Sequence, residues 1–194
     1  MENNHQQQVE ELVNTLKKQC RTAFKFHGEV AMHLFLNDNF ILPSKVDICV
    51  ERLNLVEVLK SIPLTYTFNY YDNKNNLMDK ENLIVPDVSY IEITKDNSLI
   101  MNVIIYDVIN DEWLFRLDSN IRIPENSIYF HSLTWGVDYI KPEIVLMYDL
   151  LGDMDSQQLT NYKRVLDALS YYQFVILKGV VGEHKINEVI AQNK

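Results

Sequence analysis

Lys45-Val46-Asp47-Ile48-Cys49-Val50-Glu51 alternates polar and apolar residues without a break. A strand turns successive side chains to opposite faces, so Val46, Ile48 and Val50 share one face and Asp47, Cys49 and Glu51 the other. Upstream of it stands His27-Gly28-Glu29, followed by Val30, Ala31, Leu34 and Phe35. That spacing predicts a short helix running to Asn37, where Asn37-Asp38-Asn39 stops it. A longer amphipathic helix is expected over residues 6–25 from Val9, Leu12, Val13, Leu16, Cys20 and Phe24. Downstream, Asn54 and Glu57 form a capping pair for a helix through Leu55, Val56, Val58 and Leu59. Strands are expected over 64–71, 89–94, 99–108 and 112–117, with turn chemistry at residues 72–76 and a hairpin at Asp96-Asn97. Pro142 and Glu143 suit the first turn of a helix, one by its fixed φ and the other by its charge at the positive dipole end. Leu159, Tyr162, Leu166 and Leu169 stripe a further helix beginning near Asp155, and another is expected over 183–192. The order is two helices, a strand, a helix, a strand-rich middle and a helical final third.

Composition narrows what such a chain can do. Its 194 residues are 47% apolar and 23% charged, a globular balance long enough to bury a sizeable core. Only 5 glycines occur, at 28, 136, 152, 179 and 182, so neither common glycine-rich phosphate loop can be written. A net charge of −9 excludes a general nucleic-acid binder, which needs a basic stripe to neutralise phosphates. Cys20 and Cys49 make no disulfide framework. The polar start has no basic n-region with an apolar core, and no apolar run approaches the roughly 20 residues that span a bilayer. A cytoplasmic protein without membrane association is the expectation.

His27-Gly28-Glu29 opening a helix, with Asp47 on the strand that follows, resembles the polymerase-beta type of nucleotidyltransferase superfamily. That signature pairs a glycine-led helix start with a strand carrying two carboxylates at i and i+2. Such carboxylates share a strand face roughly 6.8 Å apart and converge on a divalent ion. Magnesium takes hard oxygen ligands at about 2.1 Å and bridges them to nucleotide phosphates. The resemblance extends through Trp113-Leu114-Phe115-Arg116, Ile123-Pro124 and Tyr139-Ile140-Lys141-Pro142-Glu143-Ile144-Val145-Leu146-Met147-Tyr148, which are similar to aminoglycoside adenylyltransferase-like proteins. It covers residues 22–172. It implies an α/β (α+β) fold, a mixed sheet flanked by helices, with a nucleotidyltransferase-like domain at 1–140 and a helical region at 141–194 packed on it.

The function implied is transfer of a nucleotidyl group from an NTP to a small polar acceptor, with Mg²⁺ held by Asp47. Gly28, Lys45 and Arg116 would meet the nucleotide, and Glu29 would stand beside Asp47 as a further catalytic carboxylate. This chain departs from the pattern at several of these points. Glu29 replaces a second Gly or Ser, Cys49 replaces the second metal carboxylate, and Asp149 replaces a Lys. The third carboxylate falls at Asn102, or at Glu92 on the preceding strand. Thiol and amide are poor partners for Mg²⁺, and Glu51 lies roughly 13–14 Å along the strand from Asp47. These departures imply the alternative reading, a catalytically inactive module of the same fold that binds a ligand, a protein partner or a second copy. His27 and His33 flank the site as candidate bases or as satisfied core residues, and Tyr70, Tyr71, Trp113, Trp135, Tyr171 and Tyr172 are candidates for stacking or packing.

Overall fold

The computed structural model describes residues 2–82, 84–152 and 158–191. In chain order the elements are α1 (Glu2–Gln19), β1 (Lys25–Phe26), α2 (Gly28–Asn37), β2 (Val46–Glu51), α3 (Leu55–Lys60), β3 (Thr67–Tyr71), β4 (Tyr90–Lys95) and β5 (Ser98–Ile109). There follow β6 (Glu112–Phe115), β7 (Asp118–Pro124), β8 (Tyr129–Ser132), β9 (Val137–Ile140), α4 (Pro142–Leu151), α5 (Leu159–Ala168), α6 (Tyr171–Val181) and α7 (Glu183–Ala191). The main sheet runs β3-β4-β5-β2-β1-β9-β8, and the β6–β7 ribbon is attached to the far end of β5. β2 and β5 are parallel, as are β1 and β9, while the remaining neighbours are antiparallel. The sheet is therefore mixed, and helices cover it.

Two apolar clusters hold the layers together. On one face Val46, Ile48 and Val50 pack with Val103 and Ile105 against Val9, Leu12, Val13 and Leu16 of α1. Each such fully buried side chain contributes about 1.5–3 kcal/mol of hydrophobic stabilisation before entropy is counted. On the other face Cys49, Ile104 and Tyr106 meet Ala31 and Met32 of α2 and the apolar sides of α4, α5, α6 and α7. The alternation of residues 45–51 thus sends its apolar set to α1 and its polar set toward α2 and α4, and it is on this second side that the site lies.

Several expectations are corrected. α1 stops at Gln19 rather than near residue 25, because the chain must turn to deliver Lys25 and Phe26 to the edge of β2. Cys20 and Phe24 remain buried, but from that turn and not from a helix face. Asn54 precedes α3 in a helical conformation (φ −92°, ψ −6°) as the end of a 3₁₀ turn, so its side chain makes no capping bond. Residues 64–66 belong to a turn closed by Tyr66 N–H on the Pro63 carbonyl at 3.1 Å, and β3 begins at Thr67. β1, β7, β8, β9 and α6 were not expected. The hairpin at Asp96-Asn97 forms, with φ of 51° and 62° at the two residues, the left-handed pair that a tight hairpin needs. The expected helix start near Asp155 and end at Gln192 lie outside the described residues. Among those described, no helix is long and apolar enough to cross a membrane.

α2 ends where Asp38 takes a left-handed conformation (φ 46°). The Asp38 carboxylate accepts hydrogen bonds from Ser132 Oγ at 2.8 Å and Thr134 Oγ1 at 2.5 Å, and Trp135 Nε1 donates to its carbonyl at 2.8 Å. Trp135 therefore serves as a clip between α2 and the β8–β9 hairpin, and its aromatic ring is committed to structure.

Candidate functional site

Asp47 of β2 is in register with Asn102 of β5, and Asn102 is in register with Glu92 of β4. Registered residues on paired strands point to the same face, so Asp47, Asn102 and Glu92 form one row across three strands. Asn102 is the immediate neighbour of Asp47, while Glu92 lies a strand further on, about 10 Å from Asp47 at the spacing of a sheet. Of the two residues expected at the third-carboxylate position, Asn102 therefore faces Asp47 directly and Glu92 does not.

The start of α2 is fastened to the same residue. The His27 backbone N–H donates to the Asp47 carbonyl at 2.8 Å. Gly28 follows with φ +57°, and a Cβ there would stand 2.5 Å from Asp47 Oδ2. Only glycine tolerates both the left-handed backbone and that approach. The other carboxylate oxygen, Oδ1, accepts from Asn102 Nδ2 at 2.7 Å and lies 3.6 Å from Lys45 Nζ. Burial pushes the Asp47 carboxyl upward from its ordinary value and nearby Glu29 adds to this, while Lys45 and Asn102 pull it down.

Glu29 is half-buried on the first turn of α2. Its Oε2 accepts from Gln158 Nε2 at 3.2 Å and its Oε1 lies 3.4 Å from His33 Nε2. His33 is therefore a neighbour of Glu29, and Gln158, which no motif in the chain singles out, latches the helix start to the C-terminal helices. Cys49 is buried beneath the row, and burial pushes its thiol well up, outweighing the pull of Lys25 and Arg116. It remains a neutral thiol at any ordinary pH. His27 is only 2% exposed, its Nε2 has no hydrogen-bond partner, and its ring stands edge-on to Tyr148 with centroids 5.2 Å apart. Desolvation lowers its pKa to about 3, so it is a neutral imidazole and no proton shuttle near pH 7.

Arg116, directly after β6, borders a cleft of about 280 Å³ with Tyr71, Asn75, Tyr90 and Glu92. Its Nη1 donates weakly to Asn75 Oδ1 at 3.4 Å, and its buried Nε has no partner among the described residues. Tyr71 donates its hydroxyl to Glu92 Oε2 at 2.7 Å, and its ring lies 5.7 Å from that of Tyr90. Glu92, the far member of the row that begins at Asp47, lines the cleft, which places the cleft beside that row. Arg116 also borders a wider polar depression of about 700 Å³ that includes Arg52, Asp72 and Asp107. Tyr71 is the one proposed stacking residue in the cleft: Trp113 is buried in the core, Tyr70 packs toward α1, and Tyr171 and Tyr172 stand exposed on α6. Tyr90 was legible only as the i−2 neighbour of Glu92 on an alternating strand.

The structure thus brings Gly28, Glu29, Lys45, Asp47, Cys49 and Asn102 together and sets Arg116 at the mouth of an adjoining cleft. The donor set does not fit Mg²⁺. Asp47 has one oxygen bonded to an amide N–H, Cys49 offers a protonated sulfur, and Glu29 is engaged by Gln158. Among the described residues no group of three or more His, Cys, Asp or Glu side chains is arranged to hold a metal ion.

No family model and no curated protein matches the chain. Among solved structures it is similar to a presumed nucleotidyltransferase from H. pylori, at 14% identity over 95% of this chain and 79% of that one, with a TM-score of 0.42.

Proposed function

We propose that this chain is a nucleotidyltransferase-like protein that binds a nucleotide or similar small polar ligand beside Asp47 without metal-dependent transfer. The observation that carries this reading is the 2.7 Å hydrogen bond from Asn102 Nδ2 to Asp47 Oδ1. An amide N–H is aimed at the oxygen that a metal would need, from a position where the resemblance implies the third carboxylate. Phosphoryl-transfer catalysis is chiefly positioning and charge neutralisation, so removing the metal's ligands removes its main contribution. In this reading Lys45 and the guanidinium of Arg116 meet the anionic part of the ligand, and Tyr71 and Tyr90 flank its ring.

One feature favours the second reading, an active transferase: Glu29 lies close enough to Asp47 to raise its pKa, the position of a replacement carboxylate. Thermal unfolding with each NTP, with and without Mg²⁺ or Mn²⁺, separates the two. A ligand at 100 times its Kd adds about 2.7 kcal/mol, an upshift of about 5–10 °C for a chain of this size. The expected result is an upshift that does not require metal in the parent, and a metal-dependent one only in Asn102→Asp. A metal-dependent upshift in the parent that Asp47→Asn abolishes, with release of pyrophosphate, would establish the transferase instead. No upshift with any NTP removes the nucleotide from the proposal.

A further inference from the structure

α6 reads Tyr171-Tyr172-Gln173-Phe174-Val175-Ile176-Leu177-Lys178-Gly179-Val180-Val181, apolar apart from Gln173 and an exposed Lys178 that pairs with Glu183. A helix of that composition is expected to be covered all round. Here Leu177 and Val181 are buried, and Gln173 turns inward to donate to Glu143 Oε2 at 2.7 Å. The opposite side is open: Tyr171 is 77% exposed, Tyr172 79%, Val175 46% and Ile176 40%. Tyr172, Val175, Ile176 and Gly179 fall at i, i+3, i+4 and i+7, one continuous stripe.

Gly179 is the telling residue. Glycine weakens a helix interior relative to alanine, and this chain uses only 5 glycines in 194 residues. Among the described residues nothing lies within 4 Å of a Cβ built at Gly179, so no contact among them requires its absence. A bare backbone on an exposed apolar stripe allows another helix to approach closely.

We infer that this stripe is the contact surface of a reversible dimer, in which α6 of one copy packs antiparallel on α6 of a second. The stripe is complementary to itself under a two-fold axis. Its bulky end, Tyr172, falls on the hollow at the partner's Gly179, and Val175 falls on the partner's Ile176. Charge points the same way. Each copy carries a net −9, and α6 contains no acidic residue, so two copies meet there with the least repulsion. The two tyrosine rings present about 300 Å² and the two aliphatic side chains about 100 Å² more. Two copies therefore bury about 800 Å² of apolar face, below the roughly 1,000 Å² of a stable interface and in the class of weak, transient association.

The test is sedimentation equilibrium of the full chain from about 1 to about 300 µM, beside Gly179→Lys. The lysine has open space to occupy and a better helix propensity than glycine, so the monomer's unfolding temperature should not fall. Expected are a rise toward twice the monomer mass in the parent, strengthened by salt, and at least tenfold weaker association in Gly179→Lys. A parent that stays monomeric throughout overturns the inference. So does a dimer that Gly179→Lys leaves intact, or one that salt dissociates, since either uses another surface.

Discussion

Replacing Gly28 with alanine tests the geometry on which the site reading stands. Two effects add at this position. The backbone has φ +57°, where an L-residue other than glycine costs about 1–2 kcal/mol. The new methyl would also stand 2.5 Å from Asp47 Oδ2 and 3.3 Å from its Cβ, an overlap worth about 1–2 kcal/mol by the usual cost of overpacking. The sum, about 3 kcal/mol, corresponds to a fall in Tm of about 6–12 °C for a protein of this length. Equilibrium urea unfolding of the parent, Gly28→Ala, Asp47→Ala and the double variant separates the two parts. Asp47→Ala keeps the Cβ and removes the carboxylate, so in that background Gly28→Ala should cost only the backbone share. The coupling between the two substitutions is then about 1–2 kcal/mol, well above the scatter for independent sites. If Gly28→Ala costs the same in both backgrounds, the Asp47 carboxylate is not what requires glycine there, and the close seating of α2 on β2 is wrong.

Two further expectations concern buried titratable groups. His27 titrates near 6.5 in the unfolded chain and at about 3 when folded, so the unfolded state takes up its proton first as pH falls. Its contribution is complete above pH 6.5 and falls by about 2 kcal/mol by pH 5; His27→Phe should flatten the urea midpoint across that interval, and an unchanged acid slope would refute the burial of a neutral imidazole. Glu143 behaves in the opposite sense. Burial raises its pKa above the ordinary 4.5, outweighing Gln173 and Lys141, so the unfolded chain gives up the proton first and stability falls as pH rises past that value. Glu143→Gln should therefore gain stability at pH 8 and narrow the difference in urea midpoint between pH 5 and pH 8, with the residual slope owed in part to Asp47, whose pKa is raised too.

What could be read from the sequence follows from how each segment is buried. Residues 45–51 were legible because one of their faces is wholly apolar and the other carries the polar set. β7 was not, since Asp118–Pro124 lies in an outer ribbon with mostly exposed side chains and only Ile121 and Ile123 to mark an alternation. β1 has two residues, too few for any period. α6 escaped for the reverse reason: apolar apart from Gln173 and Lys178, it has no stripe for a helical period to reveal. At the site, Gly28, Glu29, Asp47, Cys49 and Asn102 were all named from the chain, but their arrangement depends on strand register. Spacing along the sequence favoured Asn102 for the third-carboxylate position and left Glu92 as the other candidate. The parallel pairing of β2 with β5 sets Asn102 directly beside Asp47, and no local pattern encodes that pairing.

The register also changes what Gly28 means. Read from the sequence, a glycine at the helix start supports catalysis, because such a glycine lets phosphates come close. In the folded chain its neighbour is Asp47 itself, whose carboxylate fills the space a Cβ would need. A chain that keeps Asp47 bonded to Asn102 and pressed against α2 must keep Gly28 whether or not it turns over a nucleotide. Gly28 is therefore neutral between the active and the inactive reading, and so is Asp47, since each accounts for the other. The residue that discriminates is Asn102. Its amide donates to Asp47 Oδ1, and Asn102→Asp is the change that sets a carboxylate in register directly beside Asp47.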